Sequence, residues 1–243
     1  MKTIMKISMK VNKIKTLLPL QCALVLVVIS VMSHKLSFAN EITQITDESV
    51  IPLEQPLTIA KKYRFESQVL GQSREFYLHL PAGYPQKGQK YPVIYIPDGG
   101  RKMQKTVAVV DDLARFGRRI PPMIVVGIET NKNRKADLST FNSSVAFLNF
   151  ITTELKPYID QNFQTNGDNL LMGSSMGGEF VLRALLEQPN EFDGYFAISP
   201  SVYYSDFQLV DKAIEVAENK QVIDKTLYLS VANEGWNQGA EQL

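Results

Sequence analysis

Asn169-Leu170-Leu171-Met172-Gly173-Ser174-Ser175-Met176-Gly177-Gly178-Glu179-Phe180 is the stretch that decides the fold: an apolar strand passes at once into a helix, with G-x-S-x-G at the junction and Ser175 at its centre. A strand that turns directly into a helix forces its turning residue into a strained backbone, and small neighbours are needed because flanking side chains would collide. The serine is lifted clear of the sheet, with the positive end of a helix beneath it. Presented in that way, Ser175 is a candidate nucleophile. The plainer alternative is a glycine-rich turn that packs a helix close to a strand, with Ser174 as a packing residue.

Working outward, the pattern alternates between strand and helix. Residues 62 to 70 and 74 to 80 alternate apolar and polar around Gly71-Gln72-Ser73 and read as a β-hairpin. Residues 91 to 97 (YPVIYIP) and 123 to 129 (MIVVGIE) are nearly continuous apolar runs, as expected of strands buried on both faces of a parallel sheet. Helices are expected over 103 to 117, ending at Gly117, and over 144 to 162, where Leu148, Ile151, Leu155 and Ile159 recur at helical spacing and Pro157 kinks or splits the last turn. Then follow a strand at 169 to 173, a helix at 176 to 188, a strand at 194 to 199, a helix near 207 to 219 and a strand at 226 to 232. An opening hairpin followed by such alternation predicts an α/β sandwich with a mostly parallel sheet and helices on both faces.

The 243 residues are 44% hydrophobic and 21% charged, enough for one globular domain with a full core. The first 39 residues stand apart, with six lysines, no acid and an apolar run from Leu17 to Met32 interrupted by Pro19 and Gln21. That layout is a secretory signal peptide, and the run is short of the roughly 20 apolar residues that span a bilayer, so no permanent membrane span is expected. Ser37-Phe38-Ala39 places cleavage before Asn40, and 40 to 61 reads as a surface arm leading into a domain at 62 to 243. Loss of the six lysines takes the basic residues from 26 to 20 against 25 acids, a net charge of −5 that gives nucleic acid no purchase. Cys22, the one cysteine, lies in the leader, so the rest of the chain must stand on packing alone in an oxidising compartment.

A serine nucleophile needs backbone donors aimed at the developing oxyanion, one of them on the residue that follows it, here Met176. The second is expected from Asp98-Gly99-Gly100-Arg101, after the strand ending at Pro97, and Gly100 is the candidate. An ordinary turn is the alternative for these glycines.

Four segments in order, YPVIYIPDGG, PPMIVVGIE followed by Arg134 and Asp137-Leu138, LLMGSSMGGEF, and FDGYFAISPSVYY, together resemble the Putative esterase (esterase D) family of α/β-hydrolases, over about residues 62 to 235. Within it the chain looks nearest the bacterial periplasmic siderophore esterases of the enterochelin type. The resemblance implies a serine hydrolase acting on a small-molecule ester, exported to the periplasm or secreted, with no metal or cofactor. It implies Ser175 as nucleophile, Gly100 and Met176 as the oxyanion hole, and Arg101 as a substrate-binding residue beside the acyl site. It makes Glu234 the candidate acid, with an exposed loop glutamate as the alternative. The family's histidine follows the acid after one more helix and strand, and by that pattern the chain stops at Leu243 short of both the histidine loop and the last strand. Of the two histidines present, His34 falls in the leader. His79 falls in the hairpin, three strand spacings from Ser175 if the sheet runs in the family's order, or about 14 Å. A siderophore trilactone is the substrate favoured by analogy. An acyltransferase on the same intermediate, or a non-catalytic binding protein that has lost the base, are the competing readings.

Overall fold

A computed structural model of the chain describes residues 57 to 231, apart from 131, 206 and 220 to 222. The leader expected over 1 to 39, its expected cleavage site and nearly all of the arm expected over 40 to 61 lie outside the described residues.

Seven strands form one sheet: β1 (Lys61–Ser67), β2 (Gln72–His79), β3 (Tyr91–Pro97), β4 (Ile124–Ile128), β5 (Thr165–Ser174), β6 (Gly194–Ile198) and β7 (Thr226–Ser230). Their spatial order is β1-β2-β4-β3-β5-β6-β7, with β1, β2 and β4 paired antiparallel and β4-β3-β5-β6-β7 parallel. The helices are α1 (Gly99–Asp111), α2 (Arg134–Leu138), α3 (Phe141–Phe150), α4 (Lys156–Asn162), α5 (Met176–Glu187) and α6 (Gln208–Glu218). This is the α/β-hydrolase architecture, a mostly parallel sheet with helices on both faces.

Alternation along the strands divides the core. Val93 and Tyr95 of β3 point into a large cluster with Phe147, Leu148, Phe180 and Val181 of α3 and α5. Ile94 and Ile96 point the other way, onto Met103, Val107 and Val110 of α1. A strand buried on both faces must be apolar throughout, which is why β3 is buried at every position. Ile59 and Ala60, the described end of the arm, pack against the α1 side.

Three expectations shift in detail. The helix expected from 103 begins at Gly99, because Gly99-Gly100 are poor helix formers that conceal its first turn; it closes with a wide π-helical turn over Asp112–Phe116 before Gly117. The helix expected over 144 to 162 begins at Phe141 and is divided by a second π-helical turn at Ile151–Leu155. Pro157 then stands in the first turn of α4, where its missing N–H costs nothing. The strand expected at 169 begins at Thr165, where exposed polar residues hid it.

The winding of the sheet positions the site. After β3 the chain steps to β4 on one side, then crosses to β5 on the other and continues outward through β6 and β7. The switch point lies between β3 and β5, and in open α/β sheets the ligand crevice forms there, at the carboxyl ends of the strands. Asp98 follows β3 and Ser175 follows β5, so these two turns face each other across that crevice.

Candidate active site

Ser175 has φ 58° and ψ −125°, a conformation rare for any residue with a side chain, and that side chain is exposed. Such a backbone costs on the order of 1–3 kcal/mol and persists only where its surroundings enforce it. Here they do. The Ser175 N–H donates to the Ile198 carbonyl at 2.9 Å, while its own carbonyl accepts from Gly178 at 2.9 Å, Glu179 at 3.1 Å and Ser201 at 3.1 Å. The glycines are required by contact: a methyl group on Gly173 would run into the Gly177 carbonyl, and one on Gly178 would lie 3.0 Å from Pro200 Cα.

Ser175 stands at the N-cap of α5, so Met176 is its first helical residue; Gly100 is the second helical residue of α1, whose N-cap is Asp98. Amides of a first helical turn have no acceptor within the helix and point along its axis. The two helix starts lie side by side, since a Cβ on Gly177 would sit 3.4 Å from Pro97 Cγ and 3.9 Å from Asp98 Oδ2. Gly99 is closed against β4: a methyl group there would strike the Gly127 carbonyl. Nothing larger than glycine at position 99 would let the α1 turn sit so close to β4, and the Ser175 turn and the α1 N-terminus border the same crevice.

Several residues of this cluster were not picked out from the sequence. Asp98, 1% exposed, is held by Arg134 through two hydrogen bonds, Nε to Oδ1 and Nη2 to Oδ2, each 2.8 Å, and by the Thr130 hydroxyl at 2.6 Å. Burial pushes the Asp98 carboxyl up, but Arg134 and Thr130 together outweigh it and hold the group below the ordinary carboxylate range. Arg134 also directs Nη1 to Met176 Sδ at 3.6 Å, and its charge reaches the Tyr204 phenol. The Tyr203 and Tyr204 rings meet at 4.6 Å, tilted by 33°, and stand about half exposed. The Ser175 hydroxyl shares a 3.0 Å hydrogen bond with the Ser201 hydroxyl. Asp98 and Arg134 are 36 positions apart, so no local pattern pairs them; the available signal was an acid immediately after a buried strand.

Of the residues nominated from sequence, Ser175 and Met176 stand at the start of α5 and Gly100 at the start of α1, the two helices whose N-termini border this crevice. Arg101 is exposed in the first turn of α1, close enough to Asp98 for its charge to help lower that carboxyl. Glu234 lies outside the described residues. His79 is engaged elsewhere, with Nδ1 on the Ile59 carbonyl at 2.8 Å and Nε2 3.4 Å from Asp111. Among the described residues no group of three or more His, Cys, Asp or Glu could hold a metal ion, and no helix is long and apolar enough to cross a membrane.

The family model described as Putative esterase matches residues 67 to 242. The ferri-bacillibactin esterase BesA of Bacillus subtilis is 27% identical over 146 residues, 47% of this chain and 49% of that protein. The uncharacterized protein YbbA of the same organism is 25% identical over 150 residues, 55% of this chain and 59% of that protein. The chain thus spans about half the length of the curated relatives it matches. Among solved structures, an IroE-like serine hydrolase from Shewanella oneidensis superposes with a TM-score of 0.68 at 29% identity, covering 74% of this chain and 63% of that one.

Proposed function

The chain belongs to the Putative esterase family, and from that premise we propose that it hydrolyses carboxylic esters through an acyl-enzyme on Ser175. The Ser175 oxygen attacks the ester carbonyl carbon, and the negative charge that develops on the carbonyl oxygen is received by the N–H groups of Met176 and Gly100. Collapse of that intermediate expels the alcohol and leaves the acyl group on Ser175; water then attacks the acyl carbon and frees the acid. Preorganised donors of this kind are worth about 10²–10³ in rate each, because they are already aimed when the charge appears. The observation that carries the reading is the strained, exposed Ser175 at the meeting point of two helix N-termini.

The proton of Ser175 must go to a base. Its hydroxyl partner among the described residues is Ser201, and the resemblance assigns the role to a histidine, with Glu234 as its acid. Oxyanion hole and binding without the base would leave about 10³–10⁴ over water. In a second reading the chain binds an ester without turning it over, the Ser175 hydroxyl keeping the Ser201 partner it has among the described residues. Similarity to the ferri-bacillibactin esterase supports a siderophore ester as substrate, and transfer of the acyl group to another alcohol would use the same intermediate. Export through a cleaved leader at 1 to 39 and an arm at 40 to 61 belong to the same proposal.

The test is covalent labelling by a fluorophosphonate together with hydrolysis of a panel of aryl and siderophore esters. Wild type should label at Ser175 and hydrolyse at least one ester, and Ser175→Ala should lose both while keeping its melting midpoint. Labelling that persists in Ser175→Ala rejects the nucleophile; ester binding without labelling or turnover selects the second reading.

A further inference from the structure

Asp98 sits where an aspartate normally caps its own helix. At an N-cap the carboxylate accepts the amide of the second or third helical residue, which in α1 are Gly100 and Arg101. Asp98 does not do this: it makes no side-chain cap bond, and both of its oxygens are taken by Arg134, with Thr130 added to one of them. The Arg101 and Lys102 amides are instead served by the Asp98 backbone carbonyl, each at 2.9 Å. Asp98 stands there at φ 61°, ψ 37°, left-handed backbone that glycine adopts at lower cost. The Gly100 amide is thereby left with no capping acceptor on its own helix.

We propose that Arg134 is a positioning residue that holds the Asp98 carboxylate away from its own helix and so keeps the Gly100 amide free for the substrate oxyanion. The inference rests on the esterase reading above and adds a device to it. A carboxylate that swung back would do double harm, occupying the donor and placing a negative charge where the reaction develops another. Bidentate fork geometry suits the task, because a guanidinium fixes both carboxylate oxygens at once and in one plane. The same guanidinium touches Met176 Sδ, so one side chain ties the residue that carries one donor to the N-cap of the helix whose Gly100 carries the other. Ser175, the N-cap of α5, likewise makes no side-chain cap bond to its own helix. Both capping side chains at this crevice are turned away from the amides they would ordinarily satisfy.

This assignment makes a prediction that a purely structural ion pair does not: removing Arg134 should be harmful chiefly because Asp98 remains. The full chain would be compared as wild type, Arg134→Met, Asp98→Ala and the double variant, by steady-state ester hydrolysis, fluorophosphonate labelling rate and thermal melting. Arg134→Met should lower kcat by about 10²-fold, the loss of one oxyanion donor, with KM within a few-fold of wild type. Asp98→Ala should lose no more than about fivefold, and the double variant should recover to the Asp98→Ala level, a non-additivity read directly from the cycle. Arg134→Met leaves a buried carboxylate unpaired and could fail to fold. Arg134→Lys, with and without Asp98→Ala, then runs the same cycle while keeping a charge, and the same recovery is expected from a smaller initial loss. Failure of the second substitution to restore kcat in folded protein overturns the inference, as does a loss confined to KM, which would make Arg134 a substrate contact. Wild type no more active than Ser175→Ala sinks the esterase reading itself; amide exchange then decides the positioning, with the Gly99–Arg101 segment expected to be better protected in Arg134→Met than in the double variant and equal protection overturning it.

Discussion

Ser201 reaches Ser175 twice: its amide donates to the Ser175 carbonyl at 3.1 Å and its hydroxyl meets the Ser175 hydroxyl at 3.0 Å. The first contact fixes the elbow's backbone and the second fixes the direction of the Ser175 hydroxyl, so a substitution can separate them. Ser201→Ala keeps the amide and removes only the hydroxyl. A net hydrogen bond is worth about 0.5–1.5 kcal/mol, so fluorophosphonate labelling of Ser175 should slow by up to about tenfold while the melting midpoint stays within a few degrees. An unchanged rate would show that the elbow alone orients Ser175. The residues legible in the sequence were those whose role is set by their own neighbours: Gly173, Ser175, Met176 and Gly177 act through one turn. Ser201, Asp98, Thr130 and Arg134 act through partners 26 to 36 positions away, and that information exists only once β4, β3, β5 and β6 lie side by side.

At the scale of the elements, the two wide turns and the buried ion pairs were the features that periodicity could not supply. On β2 the inward positions are Arg74, Phe76 and Leu78, and the alternation that places two apolar side chains in the core places a guanidinium beside them. Arg74 is accepted there because it meets Asp137 of α2 through two hydrogen bonds of 2.7 Å and lies over the Phe147 ring at 5.5 Å. The side chains of this pair are only 7% and 4% exposed. A pair so buried gains little over an apolar replacement but costs heavily when halved, because the survivor is a desolvated charge. Arg74→Met should therefore lower unfolding free energy by about 3–5 kcal/mol in urea denaturation, and Arg74→Met with Asp137→Leu should recover most of it. Similar losses in the single and double variants would mean that packing of the arginine stem, not charge pairing, holds β2 to α2. Arg183 and Glu179 of α5, both essentially buried, form a second such pair, with Ser139 donating to the carboxylate. Glu179 lies one helical turn beneath Ser175, so the pair helps fix the end of the helix on which Ser175 stands.

Over the whole molecule, strand order and direction decide which residues can collaborate. A mostly parallel sheet opened by a hairpin was legible because continuous apolar strands alternate with helices, whereas the strand order came only with the resemblance to the family. His79 shows how far that reasoning extends. It is three strand spacings from β5, about 14 Å across the sheet. Because β2 is antiparallel, His79 also pairs with Val125, which aligns through Ile94 with Leu170, five residues before Ser175. That adds about 16 Å along the strands, and a general base must come within about 3 Å of its proton. His79 instead ties β2 to the Ile59 carbonyl and to Asp111 at the end of α1, one hydrogen bond to a backbone carbonyl and one 3.4 Å contact with a partly exposed carboxylate. His79→Gln should accordingly lower the melting midpoint by about 2–4 °C, the shift for roughly 1 kcal/mol in a domain of this size, and leave Ser175 labelling within twofold. If folded His79→Gln lost labelling as Ser175→Ala should, the base would have to reach Ser175 across three strands, and the assignment of the crevice to the carboxyl ends of β3 and β5 would fail with it.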